Sequence, residues 1–395
     1  MSENVNYRQG LTVSSSPHLV TKLDTQKTML YVVLALIPSV VMATVYFGAG
    51  AFLRVALGAV FCCAAESIYN RVMKKPDTTK DCSFAVTGVI LALNLPANFP
   101  IWMEAIGCVV AIVIVKCLYG GIGKNIANPA IVGRIVLLLS FTSYMTSWPL
   151  TTFQKASASA AASGAVDAVT GATPLGQLAD GAQTLPSLSD LFIGNVGGAM
   201  GETCTIAILL GGAFLIWKKI ISPIIPLTFI GTVFVFSLIY YGFAGGAGQY
   251  GAFGMAVYEI LAGGVFFGAF FCATDYVTSP IMDRGKFIYA VGCGVFTMII
   301  RLFASYPEGV SFAILFMNIL TPLIDRYVIR SYYGIAKAEK GAKKTAKETA
   351  KAEMSKTEPA KAEKTETPKT QAANAESKSG EPAKAAGEER GGVRA

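Results

Sequence analysis

Residues 28–47 read TMLYVVLALIPSVVMATVYF, twenty consecutive residues without a charge. A helix rises about 1.5 Å per residue and the hydrocarbon core of a bilayer is about 30 Å thick, so a run of this length and polarity predicts a membrane-spanning helix. The residues ahead of it are polar and include Arg8, Lys22, Asp24 and Lys27. No short apolar core with a small-residue cleavage site precedes Met29, so a cleaved signal peptide is not expected. Nine further apolar runs follow, at roughly 52–70, 82–95, 102–119, 130–147, 203–217, 223–243, 254–273, 286–305 and 310–328. Together they predict an all-α, polytopic membrane protein with ten transmembrane helices. The runs 82–95 and 203–217 are short for a full crossing, a feature of broken helices beside binding sites.

Composition agrees. Hydrophobic residues are 53% of the 395, charged residues 15%, and mean hydropathy is +0.51. Soluble domains average about 25% charged, which argues against an ordinary cytosolic enzyme. Of 33 basic and 25 acidic side chains, 14 and 10 lie from Ala336 onward, leaving 19 and 15 for the apolar body. The net charge of +8 is therefore no sign of nucleic-acid binding, since basic clusters beside apolar runs orient membrane proteins. The single His18 argues against haem or a His-based metal site. None of the eight cysteines forms a Cys-x-x-Cys pair and most sit in apolar runs, so buried free thiols are expected, and no metal ligands.

Lys and Arg concentrate in alternate connections: Arg71, Lys74, Lys75 and Lys80; Lys124; Lys218 and Lys219; Arg284 and Lys286; Arg326 and Arg330. By the positive-inside rule both termini face the cytoplasm and the long connection 148–202 lies outside it. Arg54 and Arg301 lie off this pattern and are expected to snorkel or pair. The expected divisions are a cytoplasmic arm 1–27, a first membrane half 28–147, the extracytoplasmic connection 148–202, a second membrane half 203–330 and a tail 331–395. The tail is too rich in Lys, Ala and Glu to bury a core, and disorder is expected. The halves look related. Asn128-Pro129 with Arg134 in the first corresponds to Asn318, Thr321-Pro322 and Arg326 in the second. Five spans in each half predict two inverted five-helix repeats with a site near the membrane midplane.

The most informative stretch lies in the long connection: Asp167-Ala168-Val169-Thr170-Gly171-Ala172-Thr173, followed by Pro174. Small residues leave its backbone open to close approach, Thr173 offers a hydroxyl, and Pro174 biases that threonine to an extended backbone. It matches the pattern Asp-x-x-(Ser/Thr)-(Gly/Ala)-Ala-Thr by which flavin transferase recognises its targets. SSPHL at 15–19, GGIGKNIANPAIVGR at 120–134 and GGAMGETCTIAILLGG at 197–212 carry the same likeness, as do ATDYVTSP at 273–280 and PEGVSFAILFMNILTPLIDR at 307–326.

On these residues the chain resembles the family of the D subunits of Rnf ferredoxin:NAD oxidoreductase complexes and, more distantly, of the B subunits of sodium-pumping NADH:quinone oxidoreductases. The resemblance implies an electron-transfer subunit of an ion-translocating complex in a bacterial or archaeal plasma membrane. It would work with other subunits and not be catalytic alone, and electron flow would be coupled to Na⁺ or H⁺. It implies FMN held covalently by a phosphoester to Thr173, with Asp167, Thr170, Gly171 and Ala172 as recognition positions for the transferase. It also implies a second, non-covalent flavin in the bundle, often riboflavin. Tyr276 stands where the pattern has Pro, and the tail has no counterpart.

Several polar residues in the apolar body carry two readings. Glu202 would either cap the helix after it or act functionally. Asn125, Asn128 and Asn318 would either satisfy broken helix ends or hydrogen-bond a flavin ring. Asp275 and Asp325 are further intramembrane acids, the latter expected to pair with Arg326. Trp102, Trp148 and Trp217 are expected as interfacial anchors. The rival reading is an inverted-repeat transporter or channel without redox function, to which the motif ending at Thr173 would be of no use.

Overall fold

The computed structural model describes residues 24–155, 170–181, 185–243, 249–304 and 308–328. Asp167, His18 and the tail 331–395 lie outside them, and so do residues 156–169 and 182–184 of the long connection.

Among the described residues, five helices are long and apolar enough to cross a membrane: Thr25–Phe47, Ala49–Val72, Ile224–Phe243, Asp283–Phe303 and Val310–Tyr327. A sixth crossing is obtained if Gly251–Leu261 and Val265–Cys272, bent by 58° at their break, are counted together. The expectation of ten transmembrane helices in two inverted five-helix repeats is therefore overturned. The other runs are apolar but do not stay helical for long enough. Ser83–Leu93 has 11 residues, Pro129–Ser140 has 12 and Thr205–Trp217 has 13. At about 1.5 Å per residue these reach roughly half to two-thirds of the way across the hydrocarbon. The run at 102–119 is an α-helix only over Ile101–Val109 and winds wider, as a π-helix, over Val110–Cys117.

Local chemistry sets these limits. Ser83–Leu93 ends at Asn94, whose amide turns back to the Ile90 carbonyl at 2.7 Å, two residues before Pro96. Pro129–Ser140 cannot extend toward its N-terminus because Asn128 caps it, accepting the Ala130 N–H at 3.0 Å, with proline in the first turn.

Long and short helices differ in what they bury. On Thr25–Phe47, Leu30, Leu34, Ile37, Val41 and Val45 form an exposed stripe at helical spacing, while Ala35, Leu36, Ser39, Ala43 and Tyr46 face the protein. An apolar stripe of that length suits lipid. Ser83–Leu93 is buried at Ser83 and throughout Thr87–Leu93. It packs so closely on Ala49–Val72 that a Cβ added to Gly88 would stand 2.6 Å from the Gly58 carbonyl oxygen. Small residues at such crossings let backbones approach in the absence of a hydrophobic drive between helices. Ser83–Leu93 is thus an interior helix, whereas Thr25–Phe47 turns an apolar stripe outward.

The long connection is not wholly irregular. Trp148–Pro149 and Thr170–Gly171 pair antiparallel, with Trp148 opposite Gly171 and Pro149 opposite Thr170. Short helices follow at Pro174–Ala179 and Leu188–Ile193. Trp148 is buried in this pairing, whereas Trp102 and Trp217 are exposed.

Candidate functional site

Two regions gather the polar side chains of the apolar body. The first surrounds Thr173. Pairing with Trp148–Pro149 fixes the backbone just ahead of it. Thr173 then takes an extended conformation and caps Pro174–Ala179, its hydroxyl oxygen accepting the Gly176 N–H at 3.0 Å. The Tyr258 hydroxyl donates to the Pro174 carbonyl at 3.1 Å and ties this short helix to the membrane body. Gln177 donates to the Ala172 carbonyl at 3.1 Å. Thr173 itself is only 7% exposed.

Thr173 borders two small cavities. One, of about 20 Å³, also touches Glu202, Thr203 and Glu308. The other, of about 40 Å³, touches Arg134, Trp148, Glu308 and Ser311. Arg134 is buried and donates to Glu308, to the Ser311 hydroxyl at 2.8 Å and to the Asn94 amide oxygen at 3.4 Å. Glu202 does not cap the helix Thr205–Trp217. Its Oε1 accepts the Ala199 N–H of its own turn at 3.0 Å, and its Oε2 is buried with no hydrogen-bond partner. Burial, reinforced by nearby Glu308, pushes the Glu202 carboxyl up to about 7.

The second region is a cavity of about 260 Å³ bordered by Asn125, Asn128, Lys116, Ser83, Thr274 and Asp275 among apolar side chains. Asn125 donates to the Ala127 carbonyl at 3.1 Å and Asn128 to the Cys272 carbonyl at 3.1 Å, joining two distant stretches of chain. The Lys116 ammonium donates to Glu66 Oε2 and to the Ser83 hydroxyl, both at 2.7 Å. The Lys116 and Glu66 side chains are 4% and 1% exposed. An ion pair so deep is retained only with good geometry and added hydrogen bonds, which the Ser83 hydroxyl and the contact of Thr78 with Glu66 Oε1 at 2.6 Å supply.

The profile of the NQR2, RnfD, RnfE family matches residues 12–334. The chain belongs to this family. Among its relatives, the D subunit of the Na⁺-translocating ferredoxin:NAD⁺ oxidoreductase complex of Acetobacterium woodii is 43% identical over 339 residues, covering 84% of this chain and 98% of that protein. The D subunit of the proton-translocating ferredoxin:NAD⁺ oxidoreductase complex of Clostridium ljungdahlii is 41% identical over 80% of this chain and 94% of its own. The D subunit of the ion-translocating oxidoreductase complex of Ectopseudomonas mendocina is 35% identical, covering 83% and 97%.

Most of the described residues singled out from the sequence fall in one of the two regions of this family member. Thr173, Gly171, Ala172 and Glu202 fall in or beside the first, and Thr170 is placed there by its backbone pairing. Asn125 and Asn128 border the large cavity. Asn318 borders neither; it accepts the Tyr289 hydroxyl at 2.7 Å, and its buried Nδ2 has no partner. Asp275 reaches the large cavity, and Asp325 accepts the Ile281 N–H at 3.3 Å. Arg301, which lay off the charge pattern, pairs with Glu259 at 2.8 Å. Arg134 and Glu308 lie in the stretches at 120–134 and 307–326 that carry the family likeness, but nothing in the sequence pairs them. Lys116 and Glu66 carry no motif; their only sequence signal is a charge inside an apolar run, where an ionisable group is costly.

Proposed function

We propose that this chain is the flavin-bearing membrane subunit of an ion-translocating ferredoxin:NAD⁺ oxidoreductase complex, acting with other protein subunits. In this reading Thr173 holds FMN through a phosphoester, flavin transferase attaches it, and a second flavin occupies the large cavity.

The observation that carries the reading is Thr173 itself. It is the last residue of a transferase pattern, and the fold ends that pattern on a fixed, hydroxyl-bearing helix cap beside a buried arginine. The residues suit a phosphodiester. Arg134 borders the same cavity as Thr173 and, paired as it is with Glu308, would share its guanidinium with a phosphate oxygen there. Cavities of about 20 and 40 Å³ have no room for a three-ring system, so the ring would stand outside both. In the large cavity, Asn125, Asn128 and Lys116 supply the amide and ammonium groups that a flavin's ring oxygens and nitrogens need. The bound flavins would supply one- and two-electron transfer. The chain's own residues position and charge-balance them. Lys116, neutralised by Glu66, would orient its hydrogen bonds without adding net charge to the interior.

Acid precipitation of the purified complex tests this directly. The expected result is two pools, a flavin released to the supernatant and a flavin retained on this chain. A chain that retains none after maturation by an active flavin transferase would contradict the covalent assignment and favour solute-flux assays of a transporter.

A further inference from the structure

Thr173 lies where an attaching enzyme cannot reach it. It is buried, its hydroxyl oxygen already accepts the Gly176 N–H at 3.0 Å, and the spaces beside it measure about 20 and 40 Å³. A transferase must set the phosphorus of a donor flavin in line with that oxygen, at roughly 3–3.5 Å. The donor's phosphates and rings find no such room here. The hydroxyl must therefore be uncovered when the bond forms.

What covers it is a dock on the broken span. The Tyr258 hydroxyl donates to the Pro174 carbonyl at 3.1 Å, and both residues are buried. Leu175, next in the chain, packs with Tyr258 and Ala262. It reaches the break between Gly251–Leu261 and Val265–Cys272, where a Cβ added to Gly263 would stand 2.6 Å from Leu175 Cδ1 and 3.1 Å from an Arg301 nitrogen. Arg301 sets the shape of that break. It donates to the Glu259 carbonyl, to Glu259 Oε2 at 2.8 Å and to the Ala262 carbonyl at 3.0 Å. These carbonyls stand at a helix end, where helical partners run out. Tyr241 donates to Glu259 Oε1 at 3.1 Å, so the carboxylate is held from two sides. Fixing Glu259 fixes the turn that carries Tyr258. From Gly176 onward the docked helix is partly or fully exposed, so the dock grips its first turn. A short segment gripped at one end opens locally without unfolding the protein.

We propose that Tyr258, held in place by the Arg301–Glu259 pair, is a positioning residue for the flavin-bearing threonine: it docks Pro174–Ala179 on the broken span, and FMN is attached only while this dock is open. The inference rests on the reading that Thr173 carries FMN. In the attachment step the Thr173 oxygen bonds to the FMN phosphorus of a flavin adenine dinucleotide. The pyrophosphate bond breaks, and adenosine monophosphate leaves with the threonine proton. No electron is transferred. Docking afterwards fixes the point from which the flavin hangs.

Two measurements on the purified full-length chain in detergent test this. In the first, Thr173→Cys is alkylated with a maleimide and the adduct is located by peptide mass, which separates it from the native cysteines. Alkylation is expected to be slow, and about fivefold faster when Tyr258→Phe is added, the effect of one lost neutral hydrogen bond. In the second, chains made without flavin transferase receive the purified enzyme and flavin adenine dinucleotide, and covalent fluorescence is followed in time. Tyr258→Phe and Arg301→Lys are expected to be labelled faster than the wild type and to the same final extent. Tyr250→Phe, which loses a bond to the Pro186 carbonyl instead, keeps the wild-type rate. A residue needed only for folding would slow the labelling when changed, not speed it. Alkylation that Tyr258→Phe leaves unchanged would overturn the dock, as would flavin attachment at the wild-type rate or slower in that isosteric variant. Faster alkylation with no flavin on any chain, given an active enzyme, would instead overturn the assignment of FMN to Thr173, and the attachment step with it.

Discussion

The Thr173 region and the large cavity reach polar function by opposite routes. Around Thr173 the decisive residues are neighbours in sequence: a strand pairing at Thr170–Gly171, then a threonine cap, then a short helix. The large cavity is assembled from afar. Lys116 meets Glu66 across 50 residues, and Asn128 meets Cys272 across 144. A local motif can be read before any fold is known, whereas a convergent cavity depends on every helix that closes it. The first is therefore expected to lose chemistry without losing the fold when mutated, and the second to lose both.

Lys116→Met is the strongest way to break that contrast. It leaves Glu66 buried without its cation, a change that costs about 3–5 kcal/mol. A marked fall in the thermal midpoint, with loss of the extractable flavin, is expected. A Lys116→Met, Glu66→Gln double variant should recover much of the stability. If the single variant melts like the wild type, the cavity is not held together as described.

A pH series sharpens the other side. The Glu202 carboxyl lies at about 7 against an ordinary 4.5, so the folded protein holds this proton more tightly than the unfolded chain. Its contribution is full below the unfolded value and is lost as pH rises through the folded one. The thermal midpoint should fall between about pH 4.5 and pH 7, and Glu202→Gln should flatten that dependence. An unchanged slope in the variant would assign the titration to another group.

Asn128→Ala should have a smaller effect, about 1 kcal/mol from the lost helix cap. Flavin would become easier to extract from the cavity, and the covalent pool would be unchanged. Gly171→Ala should change least. An added Cβ would meet only the Leu150 side chain, at 2.7 Å from a terminal carbon that can swing aside, and the transferase pattern accepts alanine there. Covalent flavin fluorescence close to wild type is expected, and its loss would mean that the strand pairing tolerates no side chain at this position.

How much was legible follows the same division. The runs at 28–47, 52–70, 223–243, 286–305 and 310–328 became long helices; two of them carry an internal proline, Pro38 and Pro322, yet each stays helical for about 20 residues. The runs at 82–95, 130–147 and 203–217 have the same polarity, but hydropathy averaged over a window does not register a cap or an early stop. Asn128 and Asn94 set limits that the average ignores, and the ten-span, two-repeat expectation failed there. At the site, the motif ending at Thr173 was visible because its information is contiguous. Lys116 and Glu66 showed in sequence only as isolated charges, and Arg134 and Glu308 only as members of two separate family-like stretches. Each becomes meaningful when its partner is known, and the partner is supplied by packing.

The measurement closest to the central claim is the intact mass of this chain, purified with an active flavin transferase, beside Thr173→Ala. The expected wild-type mass exceeds the sequence mass by one FMN less one water, with matching in-gel flavin fluorescence, and the variant shows neither. A wild-type chain at its sequence mass, or an adduct that persists in Thr173→Ala, would contradict the assignment of the flavin to Thr173.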